Sequence, residues 1–200
     1  MNSWGRSTGF LVSLPLVLLP LVLLAACSSD TGDTSGAFDS GWTTPATEAP
    51  SLANRPSKVN VDHTSSCDLL TEAQRSQLKL TGEQTSELST TWSTNTCRIW
   101  DGDHAASASV TAVSTSDLAE FYHGRFANMQ VKPIEVRGFP ALFYRFDGAG
   151  SACYLAVGVA ERQLVDVAFG GKDLKQSQSQ LCETTQHIAE AAMDTVLAAQ

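Results

Sequence analysis

A cysteine that ends an apolar segment is the residue of this sequence with the most clearly defined chemistry. In Leu24-Ala25-Ala26-Cys27 two small residues precede the cysteine, which is the pattern at which a lipoprotein signal peptidase cleaves. Cleavage would leave the Cys27 thiol free for transfer of a diacylglyceryl group and its α-amine free for a further acyl chain. We therefore expect Cys27 to be the lipidated first residue of the mature chain.

The residues before Cys27 are typical of a removable signal peptide. Arg6 provides the positive charge, and the short apolar segment 10–24 contains Pro15 and Pro20. A membrane-spanning helix needs about 20 apolar residues in one run, and this run is shorter and is followed by polar residues. The sequence thus predicts a lipoprotein signal peptide over residues 1–26, with the mature protein lipid-anchored on the extracytoplasmic face of the cell membrane.

Two groups of acidic and histidine side chains contain residue types that bind metal ions. Asp101-Gly102-Asp103-His104 lacks the residue order of a calcium loop and is better interpreted as a hairpin turn. Glu183, His187 and Glu190 are spaced to share one face of a helix, where a solvated charged surface is the more common arrangement. We assign no metal site and expect no cofactor.

Motifs of known catalytic classes are absent from the sequence or incomplete. Ser76-Gln77-Leu78-Lys79 has the S-x-x-K form, but the sequence contains no S-D-N or K-T-G partner. No G-x-G-x-x-G, phosphate-binding loop or H-E-x-x-H occurs. We assign no catalytic residue. If the chain is a hydrolase, His104, His123 and His187 are the natural general bases.

The charge and composition of the chain limit its partners and its organisation. Its 13 Lys and Arg residues are outnumbered by 21 Asp and Glu residues, so the formal net charge is −8, and nucleic acid is not expected as a partner. The lipid membrane would be reached through acylated Cys27. Residues 27–66, rich in Ser, Thr, Asp, Gly and Pro, are interpreted as the acylated cysteine followed by a disordered tether. Residues 67–200 have the length of a single domain.

The domain shows three helical patterns. Thr71 with Gln74 and Ser177 with Gln180 have capping-box spacing at the start of a short first helix and of a long C-terminal helix. A second helix is expected over residues 116–129. The C-terminal helix is amphipathic. Its apolar stripe comprises Leu181, Thr185, Ile188, Ala192 and Val196.

Six segments between these helices have the alternation or the turn residues of strands. They are residues 96–100, 106–113, 131–136, 141–146, 152–160 and 164–169. The order α-β-β-α-β-β-β-β-α predicts an α+β domain in which helices pack on one face of a largely antiparallel sheet.

Several short motifs in a fixed order resemble a known family. They are the lipobox, Cys-Asp-Leu-Leu-Thr at 67–71, Cys97-x-x-Trp100, Gly-Phe-Pro-Ala at 138–141, and the cysteines at 153 and 182. In these features, over nearly the whole mature domain, the chain is similar to the actinobacterial secreted lipoproteins catalogued as domain of unknown function 3558. The resemblance implies an envelope lipoprotein and brings no known reaction.

The four cysteines of the domain are an even number in an exported chain, where disulfides persist. They allow three pairings. The predicted elements favour Cys67 with Cys97, which would attach the first helix to the first strand. They equally favour Cys153 with Cys182, which would attach the C-terminal helix to the sheet.

Two functions of different classes are compatible with the sequence. The first, which we prefer, is a non-enzymatic module that binds a ligand or a protein partner of the cell envelope in the space between the sheet and the C-terminal helix. The alternative is an envelope or cell-wall hydrolase with an unrecognised site. Replacing the three candidate histidines one at a time distinguishes the two, because only an enzyme would lose its function through one such change.

Overall fold

The computed structural model describes residues 41–44, 55–123, 126, 128–146, 151–172 and 174–200. The predicted signal peptide, the lipobox with Cys27 and most of the predicted tether lie outside these residues. Within the described part, no helix is long and apolar enough to cross a membrane.

The described elements are strands and helices in the order that follows. The strands are β1 Gln84–Ser89, β2 Thr94–Trp100, β3 Ser107–Val113, β4 Met129–Val136, β5 Phe139–Phe146, β6 Ala152–Ala160 and β7 Gln163–Gly170. The helices are α1 Glu72–Gln77, α2 Ala119–Tyr122 and α3 Gln178–Ala198.

One antiparallel sheet contains all seven of these strands, in the order β1-β2-β3-β7-β6-β5-β4. Pairing of β3 with β7, in which Thr111 lies opposite Asp166, joins the hairpins of the first half of the domain to those of the second. The predicted α+β class with a largely antiparallel sheet is confirmed. The sheet places β7 near its centre, so side chains on the middle of β7 are enclosed by strands on both sides.

Helix α3 covers one face of this sheet along β6 and β7. All five residues of its predicted apolar stripe are buried, as are Cys153, Leu155, Val157 and Val159, which alternate along β6. These side chains belong to one hydrophobic core that fills the layer between helix and sheet. The ligand site predicted for this layer is therefore wrong, because packed apolar side chains occupy it.

Both predicted capping boxes are present. The Thr71 hydroxyl accepts a hydrogen bond from the backbone N–H of Gln74, and the Gln74 side chain accepts one from the N–H of Thr71 at 2.8 Å. Ser177 and Gln180 make the same exchange at the start of α3. Each box satisfies two backbone donors that the helix itself leaves unpaired.

Two elements differ from the prediction. Helix α2 is a single turn with Leu118 as its N-cap, and Met129 begins β4, where it lies opposite Phe146. One turn is enough to bury Phe121 and Tyr122. Met129 has helical spacing from them but is in a strand, because its pairing with β5 outweighs the local helical preference. Strand β1 was not predicted, because its sequence Gln-Thr-Ser-Glu-Leu-Ser has no apolar alternation.

The two disulfides join the pairs that the sequence favours. Cys67 is bonded to Cys97 on β2, and Cys153 on β6 is bonded to Cys182 in the first turns of α3. Each closes a loop of about 30 residues, so each restricts the unfolded chain to a similar extent.

The folded part of the chain begins before the predicted boundary at Cys67. Val59 and Val61 are each 1% exposed and belong to the core beneath α3. The Arg55 guanidinium donates hydrogen bonds to the carbonyl oxygens of Gly158 and Ala160. The predicted tether therefore extends too far, because scattered apolar residues in its polar sequence contribute to the core.

Candidate functional site

The face of the sheet opposite α3 has small side chains at its centre and large ones at its sides. In one line across four strands, Arg98 on β2 lies opposite Ser109, Ser109 opposite Ala168, and Ala168 opposite Tyr154 on β6. The small residues form a floor and the large residues form walls. We call this depression the trough.

A second line of paired residues extends the trough by two positions along the strands. Trp100 lies opposite Ser107, Ser107 opposite Gly170, and Gly170 opposite Ala152. A Cβ atom on Gly170 would lie 2.5 Å from the carbonyl oxygen of Ser151 and 2.7 Å from the Ala152 Cβ. Glycine is required here because the backbone at the start of β6 leaves no room for a side chain at this position.

The dimensions of the trough suit a ligand larger than a single small group. Walls on β2 and β6 are three strand spacings apart, which corresponds to roughly 14 Å. The trough has a volume of about 840 Å³, and Trp100, His104 and Lys172 line one end of it. This volume lies in the range of ligand sites in other proteins.

A second lobe of about 470 Å³ continues from the trough towards Asp166. Arg98, Ser109, Tyr154 and Ala168 line both lobes, so the two are parts of one surface. The second lobe ends beneath the hairpin turn between β1 and β2, which contains Trp92.

Asp166 is the buried carboxyl group of this surface. Its side chain is held by two donors: the indole N–H of Trp92 donates to Oδ2 and the Tyr144 hydroxyl donates to Oδ1, each at 2.8 Å. Burial raises the pKa of Asp166 to about 6, and the hydrogen bonds from Tyr144 and Trp92 oppose that shift. The carboxyl group thus titrates near neutral pH at the bottom of the second lobe.

Aromatic rings surround Asp166 and support one wall of the trough. Tyr144 and Tyr154 are stacked with centroids 5.2 Å apart, and Phe121 lies 4.9 Å from Tyr144. Burial, and secondarily the charge of Asp166, raises the pKa of Tyr154. Tyr154 therefore presents a neutral hydroxyl on a ring that its aromatic neighbours hold in place.

Several hydrogen-bonding groups of the trough have no protein partner within the described residues. They are the hydroxyl groups of Ser107, Ser109 and Tyr154. By contrast, the Arg98 guanidinium donates to the Glu87 carboxylate at 2.8 Å and lies 5.9 Å from the centroid of the Trp100 ring. These three groups are uncharged, and the Arg98 guanidinium at the centre of the wall is already paired with Glu87.

The three candidate histidines lie in different places. His104 is in the β2–β3 turn, with its ring 5.6 Å from that of Trp100 at the end of the trough. His123 follows α2 and is exposed, whereas His187 is on α3, which covers the opposite face. The structure therefore brings only His104 to the trough, and the histidines do not form a common site.

The acidic face of α3 has the predicted spacing, and part of its charge is paired with Arg137. His187 lies 4.0 Å from Glu183 and 3.7 Å from Glu190. The Arg137 guanidinium lies 3.9 Å from Glu190 and donates to Asp194 at 2.7 Å. Among the residues that the structure describes, no three side chains are grouped as metal ligands.

Residues 22–195 match the family described as protein of unknown function, DUF3558. The chain belongs to this family. No curated protein and no solved structure gives a significant match. The family range includes all four disulfide cysteines and every residue of the trough.

Sequence reasoning missed Asp166 and the trough. A signal for Asp166 was present, because one acidic residue interrupts an otherwise apolar central strand, Gln163–Gly170, and such a residue is either exposed or specifically paired. The trough had no comparable signal, since it arises from the strand order rather than from any motif.

Proposed function

We propose that this protein is a non-enzymatic ligand-binding module of the cell envelope, with the trough as its binding site. Acyl chains on Cys27 would hold it at the extracytoplasmic face of the membrane, as the lipobox favours. One observation carries the proposal of binding. A trough of about 840 Å³ contains uncharged hydrogen-bonding groups that have no partner among the described residues, and such groups are suited to a ligand.

The two protein contacts of Asp166 are structural rather than catalytic. A general base must contact a nucleophile or a water that it can activate. Both oxygens of Asp166 accept hydrogen bonds from Trp92 and Tyr144, neither of which is an activated nucleophile here, since burial raises the pKa of Tyr144 well above its ordinary value. Asp166 thus serves to fix the hairpin turn and the aromatic wall.

A hydrolase is the second candidate, and the position of His104 is the observation that favours it. His104 is the candidate histidine that lines the trough. Its ring makes no hydrogen bond to a described carboxylate or hydroxyl group, so it lacks the partner that orients a catalytic imidazole.

The test uses the mature protein, purified from membranes in mild detergent and exposed to an envelope extract of its host. Native mass spectrometry should detect a bound small molecule on the wild-type protein. Ala168→Leu, which fills the floor of the trough, should abolish that added mass. His63→Ala, a change at an exposed residue outside the trough, is the control and should retain it. Identical added masses on the wild-type and Ala168→Leu proteins would contradict the trough as the site.

A second measurement separates binding from hydrolysis. The isolated ligand is incubated with the wild-type protein and with His104→Ala. A binding module returns the ligand unchanged in both cases. Cleavage by the wild-type protein that His104→Ala abolishes would establish the hydrolase instead.

A further inference from the structure

We propose that the ligand of the trough is a glycan, a chain of uncharged hexose units; this inference rests on the proposed function and specifies its ligand class.

The walls of the trough provide aromatic surface on both sides. Trp100 lies on the β2 side and Tyr154 on the β6 side, and both rings are partly exposed. A hexose ring has C–H groups on one or both faces and hydroxyl groups around its edge. Such a ring packs its C–H face on an aromatic side chain while its hydroxyl groups remain available for hydrogen bonds.

The floor provides groups that both donate and accept. A serine or tyrosine hydroxyl has one donor hydrogen and accepting lone pairs, and those of Ser107, Ser109 and Tyr154 are unpaired within the described part of the chain. Sugar hydroxyl groups have the same double capacity. An alkyl chain seated on this floor would remove these groups from water without pairing them, which is unfavourable.

The buried carboxyl group adds acceptors in the second lobe. A carboxylate has about four lone-pair positions, and Trp92 and Tyr144 occupy one on each oxygen of Asp166. The side chain retains 7% exposure and lines the lobe. A sugar hydroxyl can therefore donate to Asp166 without displacing either protein donor.

The charges of the two lobes differ in sign. Arg98 and Lys172 line the trough, whereas Glu87 and Asp166 line only the second lobe, and Arg98 is already paired with Glu87. A strongly anionic or cationic ligand would meet one favourable and one unfavourable end. An uncharged polyhydroxyl chain that extends from one lobe into the other meets no charge repulsion at either end.

The test measures binding of pure oligosaccharides to the mature protein in mild detergent. The probes are maltohexaose, cellohexaose, mannohexaose and chitohexaose, with decanoate and tetra-alanine as comparators of other classes. Saturation-transfer NMR and titration calorimetry should detect at least one oligosaccharide, with a Kd between about 10 μM and 1 mM. Neither comparator should bind the trough.

Variants of the trough locate the binding and test the roles of its walls and floor. Trp100→Ala and Ala168→Leu should weaken it at least tenfold, and Tyr154→Phe, which keeps the ring and removes the hydroxyl, about threefold to tenfold. The control His63→Ala should bind as the wild-type protein does. Circular dichroism checks that each variant is folded, and a misfolded Ala168→Leu is replaced by Ser109→Val, which fills the same floor.

Two outcomes would contradict the proposal that the ligand is a glycan. One is the absence of binding by all four oligosaccharides up to about 10 mM, and the other is binding that no trough variant weakens. If decanoate or tetra-alanine binds instead and Ala168→Leu abolishes that binding, the glycan is excluded while the trough remains a binding site. If the host extract also leaves no ligand on the trough, the proposed function itself fails.

Discussion

Asp166 shows how one side chain connects separate parts of the open face. Its two oxygens accept from Trp92, in the β1–β2 turn, and from Tyr144 on β5. These donors come from opposite halves of the sheet. A buried carboxyl group that lost one of them would be left partly unsatisfied, at a cost of about 1–3 kcal/mol.

The raised pKa of Asp166 predicts how stability depends on pH. The folded state binds this proton more tightly than the unfolded chain, so the free energy of unfolding contributed by this group is largest below pH 4 and is lost as pH rises through about 6. A shift from 3.8 to about 6 corresponds to about 3 kcal/mol. Asp166→Asn removes this titration. The free energy of unfolding of the wild-type protein, relative to that of this variant, should therefore increase by about 3 kcal/mol when the pH is lowered from 7.5 to about 3.5.

Urea denaturation of both proteins at the two pH values measures this difference. Asp103→Asn, at an exposed residue of the β2–β3 turn, is the control and should leave the pH dependence as in the wild-type protein. Parallel pH profiles for the wild-type protein and Asp166→Asn would show that Asp166 is not the group responsible.

Local sequence was sufficient to predict some residue roles and insufficient for others. The capping boxes at Thr71 and Ser177 were predictable because donor and acceptor are three residues apart. The hydrogen bond between Trp92 and Asp166 spans 74 residues. No local pattern encodes such a pair, because it depends on which strands become neighbours.

At the scale of elements, α3 is the part of the fold that the sequence specifies best. Its capping box defines where the helix begins, and its apolar stripe and its cysteine both predict that the same side of the helix packs on the sheet. Helix α2 and strand β1 are the opposite case. Their sequences carry weak or contrary local preferences, and pairing with distant residues decides their structure.

The Cys153–Cys182 bridge should contribute strongly to stability. It closes a loop with a sequence separation of 29, so replacing both cysteines by alanine should reduce the free energy of unfolding by about 3–4 kcal/mol. The Thr185 hydroxyl, which donates to the Cys153 carbonyl oxygen at 3.4 Å, would remain as a weak contact between α3 and β6. Chemical denaturation measures the loss.

The other bridge provides the matched control, because its sequence separation is 30. The variant without Cys67 and Cys97 should lose a similar free energy. Hydrogen exchange distinguishes the two, since amides of α3 should exchange faster only without the Cys153–Cys182 bridge. Equal protection of α3 in both variants would show that the core, rather than the bridge, holds the helix on the sheet.

At the scale of the whole molecule, the proposed anchor makes a prediction that is independent of the trough. Cys27→Ser removes the thiol that would accept the diacylglyceryl group, so the precursor should remain unacylated and uncleaved or be shed from the cell. Metabolic labelling with palmitate and detergent phase partitioning measure this. Ser28→Ala, which keeps the thiol, should be labelled normally, and continued labelling of Cys27→Ser would refute the lipobox assignment.

The contact of residues 41–44 with β4 would limit how far the protein could act from a lipid anchor at Cys27. Thr43 pairs with Val131 through backbone hydrogen bonds at 2.8 and 3.0 Å, and the Arg145 guanidinium lies 4.3 Å from the centroid of the Trp42 ring. If Cys27 is acylated, the 13 residues 28–40 are the chain between the lipidated cysteine and this contact. They can span at most roughly 45 Å. The β4 edge would then lie no farther than this length from the lipid surface.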